Sequence, residues 1–289
     1  MMDESQVISL GPLMKAARKF KKLNQADVAQ AIGCSQSALS KMEHNLLVPS
    51  APQWFLFSRF TSIPPETLET GVIDRNSRVK LNNDQISLGF KIPKKYRLAR
   101  SEKVREIYPF LQFLEKKVSP PLNKEFILST GLESEFFLDF DNLISFQLIV
   151  DVINFFIQIG KNTPLEIRDI VHFGQNDTYW NHMGVEAKKM TSVQAVLHEY
   201  AEEQIFLQSD FQLRVESLSG KIMISYYPEY HLKQMSTHIS PEVIEFLNSY
   251  REASLENLVE RCLGEKVRVE LLGDVSASAL AARFEIKAA

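Results

Sequence analysis

Apolar residues recur at helical spacing through the first seventy residues of this chain and at alternating spacing near its end. Leu13, Ala16, Ala17 and Phe20 predict a first helix over about residues 10–22. Asn24, with Asp27 three residues on, is the expected N-cap of a second helix whose Val28, Ala29 and Ile32 face inward. Gly33 supplies a tight turn. Ser35 then caps a third helix, with Ala38, Leu39 and Met42 inward and Gln36, Ser37, Ser40 and Lys41 outward. Trp54, Phe55, Phe57 and Phe60 are expected to pack the later helices of this region.

Periodicity is poor across residues 71–106, where Pro93 interrupts the pattern, and a helix is expected to start near Ser101. Val104, Ile107, Tyr108, Leu111 and Leu114 follow at helical spacing, and Phe146–Gln158 is apolar on nearly every side, as a buried helix would be. Thr191 with Gln194 has the form of a capping box opening a helix striped by Val193, Val196, Leu197, Tyr200 and Ala201. Phe211, Leu213 and Val215, then Ser219-Gly220, then Ile222, Ile224 and Tyr226 read as a hairpin. Ser240-Pro241-Glu242 opens one helix, and a further helix carries Leu255, Leu258, Val259, Cys262 and Leu263. Val267, Val269 and Leu271 and then Leu280, Ala282, Phe284 and Ile286 close the chain as strands. The order implies a multi-domain protein: an all-α domain over 1–72, a basic connector over 73–104, and an α+β domain with one antiparallel sheet over 105–289.

Charge sharpens this division. The net charge of −3 conceals 10 basic against 4 acidic residues over 71–106, and 16 against 26 over 107–289. A basic stretch ahead of an acidic body suits a polyanion-binding end. Lys94, Lys95 and Arg97 in the connector are candidate phosphate contacts; a solvated linker, or a dock for the acidic domain, fits the same residues. Cys34 and Cys262 suggest neither a zinc site nor a disulfide framework. The N-terminus has no secretory pattern, and the longest apolar stretch, Phe146–Ile159, is 14 residues with Asp151 and Asn154 inside it. A membrane helix needs about 20 apolar residues, so no membrane partner and a cytoplasmic location are expected.

No nucleophile elbow, glycine-rich phosphate loop or HExxH is present, so no catalytic residue is assigned and the chain is not expected to be an enzyme. His172, His182, His198, His231 and His238 are scattered, and none pairs with a cysteine at metal-ligand spacing; no metal and no cofactor are expected. Tyr179, Trp180, Tyr226, Tyr227 and Tyr230 could line an apolar ligand pocket, or simply serve core and rim packing.

Residues 23–43, LNQADVAQAIGCSQSALSKME, have the layout of a helix-turn-helix, whose second helix enters the DNA major groove. Gln pairs with adenine, Ser with several bases, and Lys with guanine or phosphate. The segment resembles the Cro/C1-type (XRE) helix-turn-helix family at Asn24, Gln25, Val28, Ala29, Gly33, Ser35, Leu39, Ser40, Lys41 and Glu43. That resemblance implies a lambda-repressor-like set of five helices over about residues 8–72. It places Gln25 at phosphate, Ser35, Gln36, Ser37, Ser40 and Lys41 at the DNA-facing surface, and Glu43 in a structural role. The family usually continues with a glycine and basic residues, whereas this chain has His44-Asn45-Leu46-Leu47-Val48. Asn45 can take the left-handed conformation of that glycine; Leu46 and Leu47 cannot contact phosphate.

The runs GLESEFFLDFDNLISFQLIVDVINFF and MGVEAKKMTSVQAVLHEYAEEQIFLQSDFQLRVESLSGKIMISYYP are similar to the sensor region of AraC-type regulators. The ending LENLVERCLGEKVRVELLGD…ARFEIK resembles sensors of the vinyl-reductase-like and haem–nitric-oxide-binding type, although no histidine matches the haem ligand of the latter. Both resemblances imply a sensor and neither names its effector. The expected protein is a homodimeric regulator binding double-stranded DNA, with a small-molecule effector. The alternative is a non-enzymatic interaction protein whose helical domain docks another protein.

Overall fold

Helix α1 (Leu10–Phe20) forms because its apolar residues fall on one side: Leu13, Met14, Ala16 and Ala17 are buried, while Lys15, Arg18 and Lys19 lie at its margins. In the computed structural model the described residues are 10–64, 67–74, 89–97, 100–161, 163, 165–174, 189–207, 210–229, 232, 239–273 and 280–288. They belong to two compact units. The first draws on residues 1–97 and 127–143, and the second on 98–126 and 144–289.

The first unit continues with α2 (Gln25–Ala31), α3 (Gln36–Glu43), α4 (Ala51–Thr61) and the short α5 (Thr67–Thr70), the five helices expected. Asn24 Oδ1 accepts from the Asp27 N–H and Ser35 Oγ from the Ala38 N–H, so both sequence-read caps are in place. Ser50 and Gln53 form a reciprocal capping box at α4. Val28, Ala29, Ile32, Leu39, Met42, Trp54 and Phe57 complete a core with α1. Phe55 and Phe60 do not join it. The inward side of α4 is taken by Trp54, Phe57, Ser58 and Thr61, which leaves positions 55 and 60 on the opposite, exposed stripe.

Residues 127–143 complete this unit, an association that no local pattern announces. Ile73 lies parallel to Asp139, with Ile73 N–H donating to Leu138 O (2.7 Å) and Phe140 N–H to Ile73 O (2.9 Å). A 3-10 turn, Ser134–Leu138, runs against α1, where Lys15 Nζ meets Glu135 at 2.7 Å and Lys19 Nζ meets Glu133 at 2.5 Å.

In the second unit, strand β1 (Arg100–Lys103) occupies the place where a helix was expected, and helical backbone begins only at Val104, in a 3-10 turn ahead of α6 (Tyr108–Phe113). Helix α7 (Pro120–Thr130) carries the chain across to residues 127–143, and β2 (Leu143–Ser145) leads back into α8 (Phe146–Gly160), which is largely buried as its composition implies. Helices α9 (Ile167–Gly174) and α10 (Val193–Leu207) follow; α10 opens with Ser192 Oγ accepting from the Ala195 N–H. Its start thus lies one residue beyond the capping box expected at Thr191.

Strands β3 (Phe211–Leu218) and β4 (Lys221–Pro228) form the expected hairpin about Ser219-Gly220, both at positive φ. The helices expected at Ser240 and around Leu255–Leu263 are one 23-residue helix, α11 (Pro241–Leu263). Strands β5 (Val267–Gly273) and β6 (Ala282–Ala288) complete a four-stranded antiparallel sheet in the order β3-β4-β6-β5. Val243, Leu255, Leu258 and Val259 of α11 share its core with Ile224, Phe284 and Ile286 of the sheet. At the β5 edge, Glu256 accepts the Val269 N–H (3.0 Å) and Glu252 the Leu271 N–H (2.9 Å). Carboxylates from α11 therefore occupy backbone donors that another strand could otherwise pair with.

Candidate nucleic-acid interface

The recognition surface is built from α2 and α3. Gly33, at φ 70°, makes the turn between them in a conformation that side chains disfavour. Leu39 and Met42 anchor α3 inward, and Gln36, Ser37 and Lys41 consequently face solvent, with Ser40 half-buried. Ser35 is exposed and occupied as the helix cap. The helix therefore presents amide, hydroxyl and ammonium groups on one side of a rigid support, a set that can pair with base edges and phosphates.

Gln25 lies half-buried at the start of α2, where its Nε2 donates to Glu43 Oε2 at 3.0 Å. Glu43 is the hub of this corner. Arg18 reaches it with two donors, Nε to Oε1 at 2.5 Å and Nη2 to Oε2 at 2.8 Å, and Arg18 Nη1 also donates to Leu23 O at 3.0 Å. One buried carboxylate thus locks α1, the start of α2 and the end of α3 together. The structural role expected of Glu43 is visible here. Arg18, its main partner, was not singled out from sequence, although a basic residue in the last turn of α1 was the available signal.

Asn45 follows with φ 58°, the left-handed conformation anticipated for it, and its Oδ1 accepts the Gly11 N–H at 2.8 Å. Helix α1 passes so close that a Cβ on Gly11 would lie 2.4 Å from Met42 O. Lys94, Lys95 and Arg97 lie on and just after a 3-10 turn, Lys94–Tyr96. All three are exposed; Arg97 Nε donates to Ile92 O at 2.9 Å and Lys95 lies over the Tyr96 ring at 4.5 Å.

Within the second unit, charge is buried. Glu102 lies near Asp210 and Glu106, and burial, reinforced by those two carboxylates, holds its carboxyl well above the usual range. Burial pushes Glu106 up to about 7, against the opposing pull of Arg105 and Lys103. Arg251 of α11 stands over the rings of Phe211 (4.5 Å) and Tyr226 (4.4 Å) and donates to Leu280 O; burial brings its pKa down to about 10. Tyr226 is accordingly a core residue, while Arg214 stacks over Tyr227. Tyr179, Trp180 and Tyr230 lie outside the described residues, as do His182, His231 and His238; His172 and His198 are exposed. Among the described residues no histidine, cysteine or carboxylate group forms a metal-holding cluster, and no helix is long and apolar enough to cross a membrane.

A groove of about 710 Å³ runs between α9, α11 and β5. Two of its carboxylates are engaged by neighbouring groups: Glu252 and Glu256 on the strand edge, and Glu256 also with Arg168 at 2.8 Å.

Residues 14–68 match the helix-turn-helix family model. No curated protein matches the chain. Among solved structures, the Fe(II) unliganded H-NOX protein of K. algicida and a point mutant of it are similar over 65% of this chain and 96% of theirs, each at 14% identity and a TM-score of 0.46. A likeness at that level bears on neither ligand nor mechanism. The capped helices, the Gly33 turn and the family match agree: residues 14–68 of this chain form a helix-turn-helix region.

Proposed function

We propose that this protein is a sequence-specific transcriptional regulator that binds double-stranded DNA as a homodimer and whose second unit senses a small molecule. The observation that carries the reading is the exposure of Gln36, Ser37 and Lys41 on a helix held by the Arg18–Glu43–Gln25 network. Gln36, Ser37, Ser40 and Lys41 lie at base edges and Ser35 beside them; Gln25 keeps its backbone N–H and remaining amide hydrogen for a phosphate. Lys94, Lys95 and Arg97 add phosphate contacts that carry no sequence information.

The sensing part of the reading is supported by a second compact unit with its own hydrophobic core, separate from the helix-turn-helix. Effector binding then shifts the arrangement of paired recognition helices and hence occupancy of a promoter. Titration of the full chain against duplexes selected from a random pool tests the DNA reading. Affinity in the nanomolar range with strong preference for the selected sequence is expected. Uniform weak binding abolished by modest salt would contradict it and favour the protein-docking alternative.

A further inference from the structure

The chain contributes to the first unit twice. Residues 98–126 and 144–289 belong to the second unit, yet the stretch between them, 127–143, belongs to the first. That stretch meets α1 through charge. Lys15 Nζ lies 2.7 Å from Glu135 and 3.9 Å from Glu133, and Lys19 Nζ lies 2.5 Å from Glu133. Burial pushes the Glu135 carboxyl up, but Lys15 beside it holds it below the usual carboxylate range. Phe90 meets Phe136 edge to face at 5.4 Å, and Lys19 lies over the Phe90 ring at 5.2 Å. The stretch is braced internally as well: Asn142 Nδ2 donates to Phe136 O at 2.7 Å and the Asp141 N–H to Asp139 at 3.2 Å. Between the two lysines along α1 stands Arg18, the residue that grips Glu43 at the end of α3.

We propose that residues 133–140 are a clamp on α1 that carries the state of the second unit to the recognition helix. The physical argument is loop closure. While the second unit is folded, the chain entering and leaving 127–143 is anchored at residues 126 and 144, so the stretch reaches α1 at little cost in chain entropy. Loosening of the second unit frees both ends, and closing the clamp then costs the entropy of long flexible connections. Partly exposed ion pairs are individually weak, so the clamp can open without unfolding the first unit. An open clamp slackens the last turns of α1, and through Arg18 and Glu43 it slackens α3. An effector that tightens the second unit therefore steadies α3, and one that loosens it has the opposite effect. The clamp rests on the proposed sensing role only for the existence of that effector.

Hydrogen exchange in α1 and α3 of the full chain, measured without DNA, tests the inference. The second unit is loosened by Phe284→Ala in its core, and the clamp is broken by Lys15→Ala with Lys19→Ala or, more gently, by Glu133→Gln with Glu135→Gln. With the clamp intact, Phe284→Ala should speed exchange in α3 about fivefold or more. With the clamp broken by either pair, the same substitution should change exchange in α3 by less than about twofold. Where Phe284→Ala yields no folded protein, Ile224→Val, which removes one methylene from the same core, should act in the same sense, by about twofold with the clamp intact. Exchange in α3 that ignores the core substitution in the intact chain, or responds by the same factor in both backgrounds, overturns the clamp. The readout involves no DNA, so that result would leave base reading by α3 standing, and a wild type that selects no DNA site would leave the clamp to be judged on exchange alone.

Discussion

Arg18 and Glu43 are joined by two parallel bonds, 2.5 and 2.8 Å long, across the contact between α1 and α3, and the Glu43 side chain is almost wholly buried there. A carboxylate so placed is tolerable only while its partner is present. Glu43→Ala should destabilise the first unit by about 3–5 kcal/mol, the usual cost of leaving one member of a buried pair uncompensated. Arg18→Ala should cost a comparable amount, and the double variant should cost less than the sum. Denaturant unfolding of all three variants, followed by helix content, checks the cycle; additive losses would mean that the pair does not act as a unit.

Asn45 has two tasks that substitution can separate, supplying φ 58° and accepting the Gly11 N–H. Asn45→Gly should keep the first and lose the second, at about 1 kcal/mol. Asn45→Ala should lose both and cost roughly twice as much. Gly11→Ala should be worse than either, since its Cβ would meet backbone at 2.4 Å. Thermal unfolding midpoints ranked in any other order would contradict this account of the turn.

Much of the first unit was legible in sequence because its determinants are local. Asn24 and Ser35 cap backbone three residues on, and Gly33 and Asn45 set their own positive φ, so residue type alone reveals these roles. Phe55 and Phe60 show where that logic fails: apolar character suggests burial, but helical phase places them on the outward stripe of α4. Residues 127–143 meet the first unit through the Ile73–Asp139 bridge and through Lys15 with Glu135 and Lys19 with Glu133, contacts between residues far apart in sequence that no window detects. In the second unit the hairpin was marked by alternation and Ser219-Gly220. The unity of α11 was hidden by the polar run around Asn248 and Arg251, where Arg251 is in fact buried against Phe211 and Tyr226. The candidate DNA-facing residues were read from α3 directly; the network that fixes them was only half visible, because Arg18 is distant in sequence from its partner.

Glu106 makes the stability of the second unit depend on pH. Its folded pKa of about 7 lies above its ordinary value of 4.5, so the folded state holds the proton more tightly than the unfolded chain. Its contribution is fully present below the ordinary value and declines as pH rises through 7, where the buried charge has become a constant cost. That cost is on the order of 3 kcal/mol. Glu106→Gln should flatten the stability profile between about pH 4.5 and 7 and stabilise the unit above it. Unfolding measured across that range, with a variant profile parallel to the wild type, would reject the assignment.

Lys94, Lys95 and Arg97 are exposed. If each makes one phosphate contact, replacing it with alanine should lower the slope of log affinity against log salt by about one and weaken all sequences equally. An unchanged slope would return these residues to the role of a solvated turn.

Gln36 carries the central claim, that α3 reads base edges. The most direct measurement is binding-site selection with the full chain, repeated with Gln36→Ala. The account predicts a defined preferred site for the wild type, and for the variant a loss of about 1–3 kcal/mol confined to one base position, with relaxed preference there. Equal weakening of every sequence would show that Gln36 touches backbone, and the absence of any preferred site for the wild type would contradict DNA reading by this helix altogether.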